Sequence, residues 1–206
     1  MLAAQPTDSV TLTLAASGAS GAIFCREMLR ILEADRRVAR LNFVPSEHSL
    51  RVMAEELGIS GRNNLLQQLL GHTPEKIQLQ SNEDIGANIA SGSYPTDGML
   101  VLPCSMGTLA RIANGLADRL IERAADVCLK ERKPLVLCVR ETPLNKIHIR
   151  NMGLAADAGA TIYPLIPTFY NLPDSIEKIA REFCNRVLKH IGLEQDGAYA
   201  WKGKEF

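Results

Sequence analysis

The sequence predicts an α/β protein built as a three-layer sandwich, with a mostly parallel sheet between two helical layers. Three observations predict it. Short apolar, β-prone runs alternate five times with amphipathic helical patterns, an order that a parallel sheet with helices on both faces requires. A Gly/Ser turn directly follows the first run, as at a strand-to-helix junction. The 206 residues are 46% hydrophobic with mean hydropathy near zero, enough for one core.

Taken in order, Val10–Ala16 reads as a strand, Ser17-Gly18-Ala19-Ser20-Gly21 as a tight turn, and the spacing of Ile23, Met28, Leu29 and Leu32 as a helix. Residues 40–44 and 46–57 repeat the pair. Residues 99–102 lead into a helix from Ser105, and residues 120–133 form a further helix. Residues 135–139 precede a helix near 145–158, and residues 161–165 precede one over 174–191. Between 60 and 96 the pattern weakens to an amphipathic piece at 64–70, a strand at 76–80 and a Gly/Ser-rich stretch at 90–95, read as a loop over the site. One domain is expected over 10–192, with an N-terminal extension 1–9 and a polar tail 193–206 whose Tyr199 and Trp201 suggest docking.

Charge and cysteine usage narrow the function classes. Lys+Arg and Asp+Glu number 23 each, for a formal net charge of zero. No global field exists to attract nucleic acid or an anionic membrane, so any anion site is local. The five cysteines Cys25, Cys104, Cys128, Cys138 and Cys184 lack C-x-x-C spacing and fall inside apolar patterns, as reduced core thiols do. His48, His72, His148 and His190 lack metal-ligand spacing and read as surface or capping residues, so no metal site is expected. No basic segment followed by an apolar stretch opens the sequence, and no run approaches the roughly 20 apolar residues of a membrane span. A soluble cytoplasmic protein is the expectation.

Ligands of open parallel sheets sit outside the carboxyl ends of the strands, so the turns there carry the chemistry. Gly18, Ala19, Ser20 and Gly21 allow close backbone approach and offer a hydroxyl at a helix N-terminus, where unpaired N–H groups and the dipole favour anions. The same residues also suit a plain Gly-rich bend with Ser20 as a cap. The pattern is not G-x-G-x-x-G, and no acid ends the second strand where a dinucleotide ribose would bind, which disfavours NAD. Ser20 has no evident His/Asp partners and no G-x-S-x-G setting, which disfavours a hydrolase triad.

Ser105, Met106, Gly107 and Thr108 follow the most apolar strand, and two hydroxyls with free N–H groups can hold a phosphate or a flavin edge; plain capping by Ser105 is the alternative. Arg123 and Lys130 are seven apart, on one helical stripe with Asp126, for which a solvated salt-bridged face is the ordinary explanation. Arg140 and Glu141 differ, because they directly end a buried strand and so face the crevice. Phe169 and Tyr170 lie in a loop past the last strand, where a phenol could reach that crevice. Arg186, on the last helix, is placed to face a neighbouring subunit.

These residues also sit in stretches that resemble the flavin prenyltransferase (UbiX-like) family. T-L-A-A-S-G-A-S-G-A at 13–22, A-S-G-S at 90–93, P-C-S-M-G-T-L at 103–109, R-A-A-D-V-C-L-K-E-R-K-P-L-V-L at 123–137, V-R-E-T-P at 139–143, N-M at 151–152 and F-Y at 169–170 carry the resemblance, which covers roughly residues 10–201. It implies a Rossmann-like, homo-oligomeric flavoprotein, a dodecamer with FMN near subunit interfaces. It further implies metal-independent transfer of a dimethylallyl group from dimethylallyl phosphate to N5 and C6 of reduced FMN. The product, prenylated FMN, is the cofactor of a UbiD-type decarboxylase; older labels call family members decarboxylases themselves.

Carried over by position, the resemblance implies FMN contacts at Gly18, Ala19, Ser20, Ser46, Ser105, Met106, Gly107, Thr108 and Arg140. It assigns the allylic phosphate to Arg123, Lys130, Arg140, Tyr170 and Arg186, some from adjacent subunits. Catalytic roles fall to Ser20, Glu56, Lys130, Glu141 and Tyr170, and walls to Ser91, Gly92 and Trp201. The chemistry suits such a set. Breaking an allylic C–O bond leaves cationic character on carbon and a further negative charge on phosphate, which clustered Arg and Lys donors stabilise in place of a metal. Two other readings share the fold: an FMN-dependent cysteine decarboxylase, whose P-x-M-N and P-A-S-A-N-T segments are absent here, and a non-catalytic FMN-binding module, which would not need Lys130, Arg140, Glu141 and Tyr170 together.

Overall fold

The computed structural model describes residues 9–59 and 62–198. Six parallel strands form one sheet in the order β3-β2-β1-β4-β5-β6, where β1 is Val10–Ala16, β2 Val38–Pro45, β3 Ile77–Leu79, β4 Gly98–Cys104, β5 Leu135–Val139 and β6 Thr161–Ile162. The strand order reverses between β1 and β4, and a crevice opens where the chain leaves these two neighbours in opposite directions. The helices are α1 (Ala22–Ala34), α2 (Glu47–Leu57), α3 (Leu65–Leu70), α4 (Met106–Ala113), α5 (Leu120–Lys130), α6 (Lys146–Asp157) and α7 (Ile176–His190), with a short 3-10 turn at Asn88–Ala90.

Two cores flank the sheet. On one face Leu12, Leu14, Leu41 and Phe43 pack with Met28 and Leu32 of α1, Met53 of α2 and Phe183 and Val187 of α7. On the other, Met99, Val101, Leu135 and Leu137 pack with Leu109 of α4, Ala125 and Cys128 of α5 and Ala155 of α6. Alternate strand residues serve opposite faces, the period-two consequence of a sheet covered on both sides. All five cysteines are buried and unpaired, and burial pushes the Cys128 thiol up to about 12.

The expected strand at 161–165 is regular only over Thr161–Ile162. Pro164 interrupts it, lacking an N–H for the ladder. The chain nevertheless stays beside β5, since Tyr163 N donates to Leu137 O at 2.9 Å and Leu165 N to Val139 O at 2.8 Å. The helix expected from 174 begins at Ile176 behind Ser175, whose hydroxyl accepts the Lys178 N–H. Asn145 and His148 form a reciprocal capping box at the start of α6. Among the described residues no helix is long and apolar enough to cross a membrane.

Candidate active site

The turns after β1 and β4 are stitched together at the switch point. The buried Ser17 hydroxyl donates to Pro103 O at 3.2 Å and accepts the Ser105 N–H at 2.7 Å. Ser105 then caps α4, its Oγ accepting from Thr108 N at 3.3 Å and donating to Thr108 Oγ1 at 3.2 Å. Ser46 caps α2 in the same way, accepting Ser49 N at 3.1 Å. Both helix starts open onto one cavity of about 660 Å³, lined by Gly18, Ser46, Glu47 and His48 on one side and by Ser105, Met106, Gly107 and Thr108 on the other. A drug-sized ligand occupies a cavity of roughly 300–1,000 Å³, and the hydroxyls and helix starts suit a polar, phosphate-bearing flavin. FMN fits the residues present.

Glycine is required at 18 by close approach. A Cβ there would lie 2.5 Å from His48 Cβ, so the first turn and the start of α2 touch across the cavity floor. The Gly18–Gly21 turn was expected to offer the free N–H groups of α1 to a ligand, yet the carboxylate of Glu56 already takes them. Gly21 N donates to its oxygens at 3.1 and 3.0 Å, and Ala22 N donates at 2.7 Å. Helix α1 has no side-chain cap of its own and no acid in its first turn, so Glu56 supplies both. Ser20 is exposed in the turn so fixed, and Ala19 is buried beneath it.

A second cavity of about 350 Å³ adjoins the first. Met106 and Glu141 line both, and the smaller is completed by Val139, Arg140, Thr142, Leu144, Met152 and Pro164 to Ile166. Arg140 leaves β5 with its N–H on Cys104 O at 3.0 Å, and Glu141 folds back to accept the Thr142 N–H at 2.9 Å. Leu165 reaches from this cavity to the Gly-Ser turn, its Cδ1 only 3.2 Å from where a Cβ on Gly21 would stand.

One subunit does not gather the phosphate-binding set named from sequence. Arg140 stands at the carboxyl edge, and Tyr170 is 72% exposed in the loop beyond it. Arg123 donates to Ala90 O at 3.0 Å and pairs with Asp126 at 2.7 Å. Lys130 pairs with Glu131 at the end of α5, close to Pro134, whose carbonyl meets Met99 at the start of β4; this is the amino edge of the sheet. Gly92 packs against Lys130 and Glu131, so Ser91 and Gly92 lie on α5 and not on the rim of either cavity. Arg186 is exposed on α7, on the opposite face of the sheet. Residues 193–198 dock at the amino edge, where Gln195 and Arg37 hold Asp35, and Trp201 lies outside the described residues.

Sequence reasoning missed the far wall of the larger cavity. Asn82, Glu83, Arg111, Asp118, Arg119 and Glu122 line it. Asn82 caps α5 from a distance, its Oδ1 accepting Ile121 N at 2.9 Å and its carbonyl accepting Leu120 N at 2.9 Å. Such a remote cap leaves no local signature, and the charges read as an ordinary solvated face. Arg111 pairs with Asp118, Arg119 with Glu83, and Glu122 stands 3.8 Å from Arg111. Glu122 is 5% exposed, and its Oε2 has no hydrogen-bond partner among the described residues. Burial pushes its carboxyl above the ordinary range. His48, read as surface or capping, is a cavity wall. Among the described residues no three His, Cys, Asp or Glu side chains gather as metal ligands.

The larger cavity thus carries Glu47, Glu83, Asp118, Glu122 and Glu141 against Arg111 and Arg119.

Comparison with known proteins agrees with the geometry. Residues 3–183 match the Flavoprotein family. The flavin prenyltransferase UbiX of Salmonella typhimurium is 44% identical over 194 residues, 93% of this chain and 98% of that one. The structure of AnUbiX (PadA1) in complex with FMN and dimethylallyl pyrophosphate superposes with a TM-score of 0.84 at 36% identity, covering 96% of this chain and all of that one. A dodecameric FMN-dependent UbiX-like decarboxylase from Escherichia coli O157:H7 gives the same score at 38% identity, over 94% of this chain and all of its own.

Proposed function

We infer that this chain, which belongs to the UbiX-like flavin prenyltransferases of the flavoprotein family, joins a dimethylallyl group from an allylic phosphate to reduced FMN and yields prenylated FMN. One observation of the site carries the reading: a polar cavity of flavin size and a smaller apolar cavity share Met106 and Glu141 at the switch point. An acceptor and a donor seated in the two would meet at that partition. Reduced FMN, when bound, supplies the electron-rich nucleophile.

The protein's own residues orient, neutralise and move protons. Ser46, Ser105 and Thr108 present hydroxyls to the flavin side, and Arg140 offers a planar fork of donors to the departing phosphate oxygen. Glu141 lies at the partition, within reach of a proton released as the new ring closes. Arg123, Lys130 and Arg186, some of them from neighbouring subunits, supply further positive charge to the allylic phosphate. Ser20, Glu56 and Tyr170 complete the set, with Trp201 of the tail as a wall. The assembly is a homo-oligomer of the dodecameric kind described for the Escherichia coli relative, and the product passes to a UbiD-type decarboxylase in the cytoplasm. The cysteine-decarboxylase alternative lacks its own motifs. A pure flavin-binding module would have no use for an apolar cavity with Arg140 and Glu141 beside the flavin.

The test is mass spectrometry of the flavin after anaerobic incubation of the purified protein with reduced FMN and dimethylallyl phosphate, with EDTA present. The flavin should gain one five-carbon prenyl unit. A flavin of unchanged mass, or one modified only when magnesium is restored, overturns the reading.

A further inference from the structure

The loop from Asn88 to Tyr94 lies along α5, and one buried chain of amides holds both of its ends. Asn42 of β2 is 0% exposed, between Leu41, Phe43 and Val44 that are buried as deeply. An amide so placed is costly unless it is hydrogen-bonded. Its Nδ2 donates to Leu12 O and to the Tyr94 hydroxyl, both at 3.4 Å, and its Oδ1 accepts from Gln80 Nε2 at 2.7 Å. Gln80 Nε2 also donates to Asn88 Oδ1 at 2.8 Å, and that oxygen accepts the Ile89 N–H at 2.8 Å. This order of donors and acceptors sets the amide orientations, because a flipped Gln80 would put its oxygen against two others. Between the anchors the loop touches two cations. Ala90 O accepts from Arg123 Nε at 3.0 Å, and Gly92 packs against Lys130 Nζ. Asn88–Ala90 is a single 3-10 turn, so only two residues separate the Asn88 anchor from the carbonyl that holds Arg123. Ile89 and Tyr94 pack into the core beside α5; apolar contact keeps the loop on the sheet but has no direction of its own, which the hydrogen bonds supply.

We propose that Asn42, Gln80, Asn88 and Tyr94 are positioning residues for the transfer, holding the Ala90 carbonyl and Gly92 where they aim Arg123 and Lys130 at the allylic phosphate. The inference rests on the transferase reading above and adds the residues that make its cations effective. Arg and Lys side chains are long and rich in rotamers, and a donor stabilises developing charge best when it is in place beforehand. Asp126 holds a second nitrogen of Arg123 at 2.7 Å, so α5 and the loop together fix the direction of the guanidinium. Lys130 ends α5 at the amino edge of the sheet, whereas Arg140 follows β5 at the carboxyl edge. A phosphate held by both is shared between copies, and a fault in the amide chain of one copy is felt at the site of the next.

The test is made on the full oligomer. With oxidised FMN bound, a form that cannot react, Asn88→Ala should weaken dimethylallyl phosphate binding roughly tenfold, as loss of one well-placed charged contact does. FMN affinity and oligomer size should stay as they are. Tyr94→Phe keeps the ring in its core and removes only the hydroxyl; it should weaken the same constant by about threefold, and it decides the matter if Asn88→Ala does not assemble. With reduced FMN, mixed oligomers separate positioning from a general loss of stability. Asn88→Ala mixed with Arg140→Ala should regain full-rate prenylation at about a quarter of the sites, the share that random pairing leaves with both contributions intact. Mixed with Lys130→Ala it should regain none, because both faults then lie on the same side of the shared site. Unchanged affinity for dimethylallyl phosphate in the folded variants overturns the inference, and so does recovery with Lys130→Ala in place of Arg140→Ala. Failure of the unaltered protein to prenylate FMN is a different result: it strikes the transferase reading, while the binding constants still judge the positioning role.

Discussion

The carboxylate of Glu56 closes the N-terminus of α1 by accepting the N–H of Gly21 at 3.0 and 3.1 Å and that of Ala22 at 2.7 Å. An anion at this end of a helix is stabilised by the unpaired N–H groups and the dipole together. Glu56 comes from α2, so the contact also ties two helices that follow neighbouring strands. It holds the turn that presents Ser20.

Glu56→Ala should therefore cost stability as the loss of a cap does, about 1–2 kcal/mol, and Glu56→Gln, which keeps an acceptor oxygen, about half as much. Urea unfolding of both variants checks the order. Prenyl transfer should fall further in the alanine variant, because the Ser20 turn loosens. Equal midpoints for the two substitutions would mean that the cap does not hold the turn.

Gly18 and Gly92 make a matched pair. A Cβ at Gly18 meets His48 Cβ at 2.5 Å, whereas at Gly92 it meets the far ends of Lys130 and Glu131. A Cβ near its own backbone cannot swing aside, but the tips of long side chains can. Gly18→Ala should cost about 1–3 kcal/mol, as overpacking does, and weaken FMN binding; Gly92→Ala should stay within about 0.5 kcal/mol of the unaltered protein. Thermal unfolding and flavin titration decide between them.

The strands and helices were legible because each buried face imposes its own period, as in Val10–Ala16 or Leu135–Val139, and because Ser46, Ser105 and Asn145 mark helix starts that need a cap. The turns that carry chemistry followed from parallel topology. What stayed hidden depends on distance in the chain. Nothing local to Glu56 announces that it caps α1, nor that Asn82 caps α5, and Arg111 with Glu122 reads as solvent-facing until α4 and α5 close the cavity over them. The charges proposed for the phosphate were legible in the sequence as a list, but their separation onto two edges and two faces of the sheet emerges only from the fold.

That separation predicts complementation between subunits. Lys130 ends α5 at the amino edge and Arg140 ends β5 at the carboxyl edge, so a phosphate held by both takes them from different copies. Lys130→Ala and Arg140→Ala should each slow transfer by about 10²–10³, the cost of removing one preorganised donor. Refolded or co-expressed as a mixed oligomer, the two inactive variants should regain roughly a quarter of the sites, since a random pairing leaves that share with both groups intact. Mixtures as inactive as their parents would place both groups within one subunit's site.

The buried carboxyl of Glu122 gives a prediction whose sign depends on pH. Desolvation raises its affinity for a proton, and Arg111 and Arg119 only partly oppose this. The groups around it are Arg111 from α4, Asp118 and Arg119 from the connection before α5, and Cys104 from β4. Because its pKa is higher in the folded chain than in the unfolded one, the folded state binds the extra proton between the two values. The stability so gained is fully present below the ordinary carboxylate range and is lost as pH rises through the raised value. Glutamine has the same shape and cannot ionise, so Glu122→Gln suffers no such loss. The difference in urea midpoint, variant minus unaltered protein, should therefore grow more favourable to glutamine from pH 4, in the ordinary carboxylate range, to pH 8, above the raised value. FMN titrations at the two pH values provide the companion reading, because a carboxyl that ionises in the wall of an acid-rich cavity repels the incoming phosphate. Affinity in the unaltered protein should drop towards pH 8 more than in the variant. A midpoint difference that stays flat across this range would show that Arg111 keeps Glu122 ionised throughout, and that the uncompensated oxygen finds its partner in the assembled oligomer.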